Sequence, residues 1–145
     1  MAAKRHAKVT WEGSLLEGSG KIESTRSGAL SDLDVTWASR SEEDDGGRTS
    51  PEEKLAAAHA SCYSMALSHG LAQAGNAPEK LAVKATSTFV PGTGITQMHL
   101  ELTGKVPGMD EQAFQEAAQA AAENCPVSQA LKGNVEIVLD ARLEG

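Results

Sequence analysis

Aromatic side chains are scarce in this chain: Phe, Trp and Tyr make up 3% of its 145 residues. A core must therefore be filled by Ala, Leu, Val and Met. Cysteine is nearly absent as well. Only Cys62 and Cys125 are present, which excludes a fold stapled by several disulfides. Basic residues are outnumbered, 13 Lys and Arg against 20 Asp and Glu, for a net charge of −7. That balance argues against nucleic acid and against an anionic membrane as partners, because both require a basic face. The basic cluster at 4–8, KRHAK, is too short to reverse it and reads as a solvated strand entry. No apolar run approaches the roughly 20 residues of a membrane-spanning helix, and no apolar segment follows the charged N-terminus as a secretion signal requires. The expected compartment is the cytoplasm, where two cysteines are inert, metal-binding or redox-active.

What is present suffices for one domain, 1–145: 40% of the residues are hydrophobic, with no repeat, linker or low-complexity tract. Segments 7–13 and 20–26 alternate and suggest a hairpin. Segment 32–39 (DLDVTWAS) alternates too, with Leu33, Val35 and Trp37 on one face. An acidic loop, SEEDDGG, then leads to a helix start at Ser50, Pro51 and Glu53 with capping-box spacing. Residues 52–73 read as a long helix, apolar almost all round and thus central or at a subunit interface. A second hairpin is expected from 81–90 and 95–106, a helix capped by Asp110 over 111–124, a helical turn at 127–133 and a last strand at 134–143. The order is ββ(β)–α–ββ–α–β. It predicts an α+β fold, antiparallel strands with a long helix and a second helix packed on one face.

On the long helix, Glu52, Leu55, His59, Cys62, Ala66 and His69 share a face by their three- and four-residue spacing. Buried free cysteine is common, so Cys62 has a plain packing reading. Cys125 precedes Pro126, which pushes it out of helical geometry and places it at a helix break. Unpaired N–H groups there favour a thiolate. A thiol at a break also moves more easily toward a partner sulfur than one in mid-helix.

Two motifs carry a resemblance. TSPEEKLAAAHASCYSMAL around Cys62 and ENCPVSQALKG around Cys125 are similar, in this order, to the paired signatures of the OsmC/Ohr family of thiol peroxidases. The TWEG…GKI start resembles its OsmC branch. The resemblance covers nearly the whole chain and implies an OsmC-like fold in an intertwined homodimer with sites at the subunit interface. It implies reduction of organic hydroperoxides, and of hydrogen peroxide, in oxidative stress defence, with no cofactor or metal. By position Cys62 is the peroxidatic and Cys125 the resolving cysteine. Glu52 is the family's acidic residue and Arg40 its arginine, with Arg48 a competitor because the acidic loop is longer than usual. Tyr63 stands where Phe is commoner. An external dithiol of the dihydrolipoyl kind is the implied reductant.

The chemistry suits these residue types. A free thiol titrates near about 8.5, so little of it is thiolate at neutral pH. An adjacent guanidinium stabilises the thiolate and donates to the peroxide oxygen as charge develops, and a bidentate pair with Glu52 would hold Arg40. Ten helical residues rise about 15 Å, so Glu52 does not reach Cys62 along a straight helix. Either the first turn folds back or the pair serves a second subunit's cysteine. With few aromatics, an aliphatic pocket around Met65 and Leu55 is expected. His59 reads as a packed, hydrogen-bonded side chain rather than a base. The alternatives are a metal site from His59, Cys62, His69 and Cys125, a Cys–His acyl-transfer enzyme, and a non-enzymatic stress or binding protein.

Overall fold

The computed structural model describes residues 1–145 and forms two compact units, Met1–Lys54 and Leu55–Gly145. The first carries a sheet of three antiparallel strands, β1 (Ala7–Glu12), β2 (Ser19–Thr25) and β3 (Leu33–Val35), in that order. The expected hairpin of β1 and β2 is present. The expected strand at 32–39 is not. It stops at Val35, and Trp37–Ser41 forms a short helix, α1. A reciprocal cap closes this turn: the Ser39 amide donates to Thr36 Oγ1 and the Thr36 amide to Ser39 Oγ, both at 3.0 Å. Ser39 Oγ also donates to the Thr49 carbonyl at 2.9 Å. The alternation through Trp37 is therefore broken by two hydroxyls, and Arg40 sits in the last turn of a helix instead of at a strand end.

The long helix α2 (Pro51–Gln73) starts as its caps require, with Ser50 Oγ accepting the Glu53 amide at 3.1 Å. It ends in a Schellman motif. The Asn76 amide bonds to the Leu71 carbonyl and the Gly75 amide to that of Ala72, with Gly75 at φ 86°.

The second unit holds β4 (Lys80–Val90), β5 (Gly94–Lys105) and β6 (Glu136–Leu143), in that order, with α3 (Glu111–Asn124) and α4 (Pro126–Leu131) between the last two strands. The β4–β5 pair is the expected antiparallel hairpin. The β5–β6 pair is parallel, which corrects the all-antiparallel expectation. Two helices separate these strands, long enough for the crossover that parallel pairing needs. The fold is thus α+β with one antiparallel and one mixed sheet.

Tyr63, Leu67 and Leu71 of α2 join Met98, Leu100 and Leu102 of β5 and Phe114 and Ala118 of α3 in one buried core. With His59 they form an inward stripe at four-residue steps, while Met65 and His69 are exposed. The Tyr63 hydroxyl donates to the Ala118 carbonyl at 2.9 Å, satisfying the one polar atom this ring brings inside. Gly104 lets Phe114 lie on β5, since a Cβ there would stand 2.6 Å from Phe114 Cζ. Gly104→Ala should lower stability by about 1–3 kcal/mol, the cost of overpacking a filled core. A urea midpoint unchanged from that of the parent chain would contradict it.

Candidate functional site

Cys62 lies in mid-α2, half-buried. Cys125 is fully buried at the junction of α3 and α4. Its φ of −57° and ψ of 126° are extended, as the following proline demands. Both thiols are free, and their side chains are hydrogen-bonded to each other. The Val127 amide, in the first turn of α4, donates to the Cys62 sulfur. The N–H expected to favour a thiolate at Cys125 therefore serves Cys62. Even so, burial pushes the Cys62 thiol up from its ordinary range, and the neighbouring Cys125 adds to this against the Val127 amide. The second unit by itself therefore keeps Cys62 as a thiol. That differs from the activated thiolate expected from the sequence, because burial penalises charge and the nearest side chain is another acid.

His59, one turn before Cys62, is fully buried, as a packed histidine should be. Its Nε2 meets Ser128 Oγ at 2.7 Å, and its Nδ1 has no partner. Burial lowers its pKa from the usual 6.5. A depressed histidine contributes stability that is present above the unfolded value and lost as pH falls through the folded one. Unfolding temperature should therefore drop on acidification below about pH 6.5, and His59→Gln should flatten that part of the curve. An identical acid slope in the variant would contradict this.

In the first unit Arg40 pairs with Glu52, and Arg48 does not. The Arg40 Nε and Nη2 both reach Glu52 Oε1 at 2.9 Å. The expected bidentate fork is not formed, since both donors converge on one oxygen and Glu52 Oε2 is buried without a partner. Arg48 lines a separate acidic hollow with Asp32, Asp34, Asp45 and Glu53. Beside Arg40 opens a cavity of about 380 Å³ walled by Trp11, Leu15, Thr36 and Trp37. Both of the chain's tryptophans are spent here. Near Met65, which is expected to line an aliphatic pocket with Leu55, the structure has an open hollow walled by Met65, Ala72, Pro78 and Leu81 together with Ser64, Ser68 and His69; Leu55 is not among its walls.

No three His, Cys, Asp or Glu side chains stand close enough to share a metal ion, so the four-ligand alternative has no geometric basis. The acyl-transfer alternative needs His59 on Cys62, whereas the groups hydrogen-bonded to the Cys62 sulfur are the Val127 amide and Cys125, and His59 Nε2 is turned to Ser128. No helix is long and apolar enough to cross a membrane. The sequence pattern points to unpaired amides at this helix start but singles out neither Val127 nor Ser128. Their signal was their place in the first turn after Cys125-Pro126, where amides and hydroxyls have no partner in their own helix.

The site is thus a thiol in mid-helix touching a second thiol at a helix break, on an α+β scaffold. The family model described as OsmC-like protein matches residues 43–140. The chain is 38% identical over 147 aligned positions to Peroxiredoxin OsmC of Escherichia coli strain K12, which covers 99% of each sequence. It belongs to the OsmC family. The crystal structure of the organic hydroperoxide resistance protein OhrB of Bacillus subtilis is similar, with a TM-score of 0.64 and 26% identity over 94% of this chain and 98% of that one. An OsmC-like protein of Mycoplasma pneumoniae shares the fold over the full length of both chains, with a TM-score of 0.72 at 15% identity.

Proposed function

We propose that this protein is a thiol peroxidase that reduces organic hydroperoxides, and hydrogen peroxide, in stress defence in the cytoplasm. The observation that carries the reading is the contact between Cys62 and Cys125. The peroxidase and hydroperoxide-resistance names of the relatives support it. The Cys62 thiol ionises and its thiolate attacks the peroxide, and the O–O bond breaks. The leaving alkoxide takes up the proton that the thiol gave up and departs as an alcohol, and Cys62 becomes a sulfenic acid. Cys125 condenses with it, releasing water and leaving a disulfide that an external dithiol of the dihydrolipoyl kind reduces.

Arg40 and Glu52 are the proposed activating pair. Glu52 precedes Cys62 by ten residues of α2, so the pair serves the cysteine of a second subunit in an intertwined homodimer. Exposed Val9, Trp11, Leu15, Leu16 and Leu30 in the first unit, and Met65 on α2, are apolar surface that such a partner would cover. The two units would then work as one domain, 1–145. The Trp11–Trp37 cavity beside Arg40 suits the apolar tail of an organic hydroperoxide.

The test is a thiol count with intact mass after one equivalent of an organic hydroperoxide. Loss of both thiols to an intramolecular disulfide is the expected result. Survival of both would overturn the reading.

A further inference from the structure

His59 and Cys62 stand on consecutive turns of α2, and the start of α4 answers both. Val127 gives its amide to the Cys62 sulfur, Cys125 touches the same sulfur, and Ser128 bonds His59. Ser128 is buried at 2% exposure and lies in the helical turn that Cys125 caps. Two polar groups that meet away from water resist parting, because either one left alone bears its full desolvation cost. Burial holds the His59 pKa below its usual value, and Ser128 takes the one ring nitrogen that has a partner, so the pair ties the start of α4 to α2.

We propose that His59 and Ser128 are a positioning pair that anchors the first turn of α4 against α2 and so presents the Cys125 thiol to Cys62 for disulfide closure. This rests on the two-cysteine cycle above. In closure the Cys125 sulfur attacks the sulfenic sulfur of Cys62, the S–S bond forms, and the S–O bond breaks. The departing hydroxide takes up the Cys125 proton as water. Cys125 must come within about 2 Å of its partner, and Ser128 fixes the turn three residues away. The competing fate is attack of the sulfenic acid on a second hydroperoxide, which gives a sulfinic acid and a second alcohol. Anchoring favours closure through proximity and gives the second peroxide no such help.

Two readouts test this. Diamide, a chemical oxidant of dithiols, drives closure without any peroxidase activity. Ser128→Ala and His59→Leu should close about tenfold more slowly than the parent chain, the loss expected for one buried hydrogen bond. His59→Gln, whose amide nitrogen reaches the Nε2 position, should recover most of the rate. Under excess organic hydroperoxide, intact mass should show the ratio of disulfide to sulfinic product falling by the same factor in Ser128→Ala. Thermal unfolding establishes that each variant is folded. If Ser128→Ala is not, the comparison of His59→Gln with His59→Leu decides alone. Equal closure rates among folded variants would overturn the proposal, as would a slowed first oxidation of Cys62 with closure unchanged. If the parent thiols resist hydroperoxide while the diamide series behaves as expected, the peroxidase reading fails and the positioning pair stands.

Discussion

Cys62→Ser should abolish hydroperoxide reduction, lowering kcat/KM by at least about 10³, whereas Cys125→Ser should allow one turnover per chain and then stop. A serine hydroxyl has no accessible anion near neutral pH and no soft sulfur to accept oxygen, so the first step is lost outright. Without Cys125 the first step still has its nucleophile, and Cys62 stays as a sulfenic acid open to trapping by a carbon acid such as dimedone. The opposed outcomes separate the two roles. A single burst with a trapped sulfenic acid in Cys62→Ser, at Cys125, would reverse the assignment. Full steady-state turnover in Cys125→Ser with a dithiol reductant would remove Cys125 from the cycle. Because burial and the second thiol hold Cys62 protonated in the single chain, its alkylation rate should climb with pH through and beyond the ordinary thiol range. Assembly with a partner that brings Arg40 to it should move that profile to lower pH.

Arg40→Met should cost about 2–3 kcal/mol of stability, less than a fully buried pair would because Arg40 is partly exposed, and lower peroxidase activity about 10²-fold. Glu52 is 5% exposed, and its Oε2 already lacks a partner. Removing the guanidinium leaves a carboxylate in low dielectric with little to offset its lost hydration. Arg40→Met/Glu52→Gln should regain most of the stability, since the charge is then gone with its partner, and regain none of the activity. Arg40→Lys should restore charge without the two N–H groups that converge on Oε1, and so recover stability better than activity. Urea denaturation of the four chains checks the first claim. A double variant no more stable than Arg40→Met would show that the ion pair is not what holds this corner of the first unit.

Local chemistry made much of this legible beforehand. The caps at Ser50 and Asp110 and the break at Cys125-Pro126 act within a few residues, and the alternation of β4 and β5 reports one buried face. Each of these features is where the sequence pattern puts it. Where two local solutions competed, the pattern misled. DLDVTW alternates as a strand, yet the hydroxyls of Thr36 and Ser39 close a helical turn, and no periodicity reveals which side-chain bonds will form. The gathering of the rings is hidden for a related reason. A low aromatic content says how much ring is available and nothing of where it gathers, and both tryptophans gather at Arg40.

By itself, then, the amino-acid sequence determined the helices apart from α1, most of their ends, most strands, and the pair of motifs that marks the family, because these rest on neighbours along the chain. Only the tertiary structure decided that β6 returns parallel to β5, that Arg40 and not Arg48 takes Glu52, and that Ser128 locks His59. It also decided that Cys62 meets Cys125 as a thiol. Each of these joins residues distant in sequence, and their meeting is set by how layers pack, which no short segment encodes.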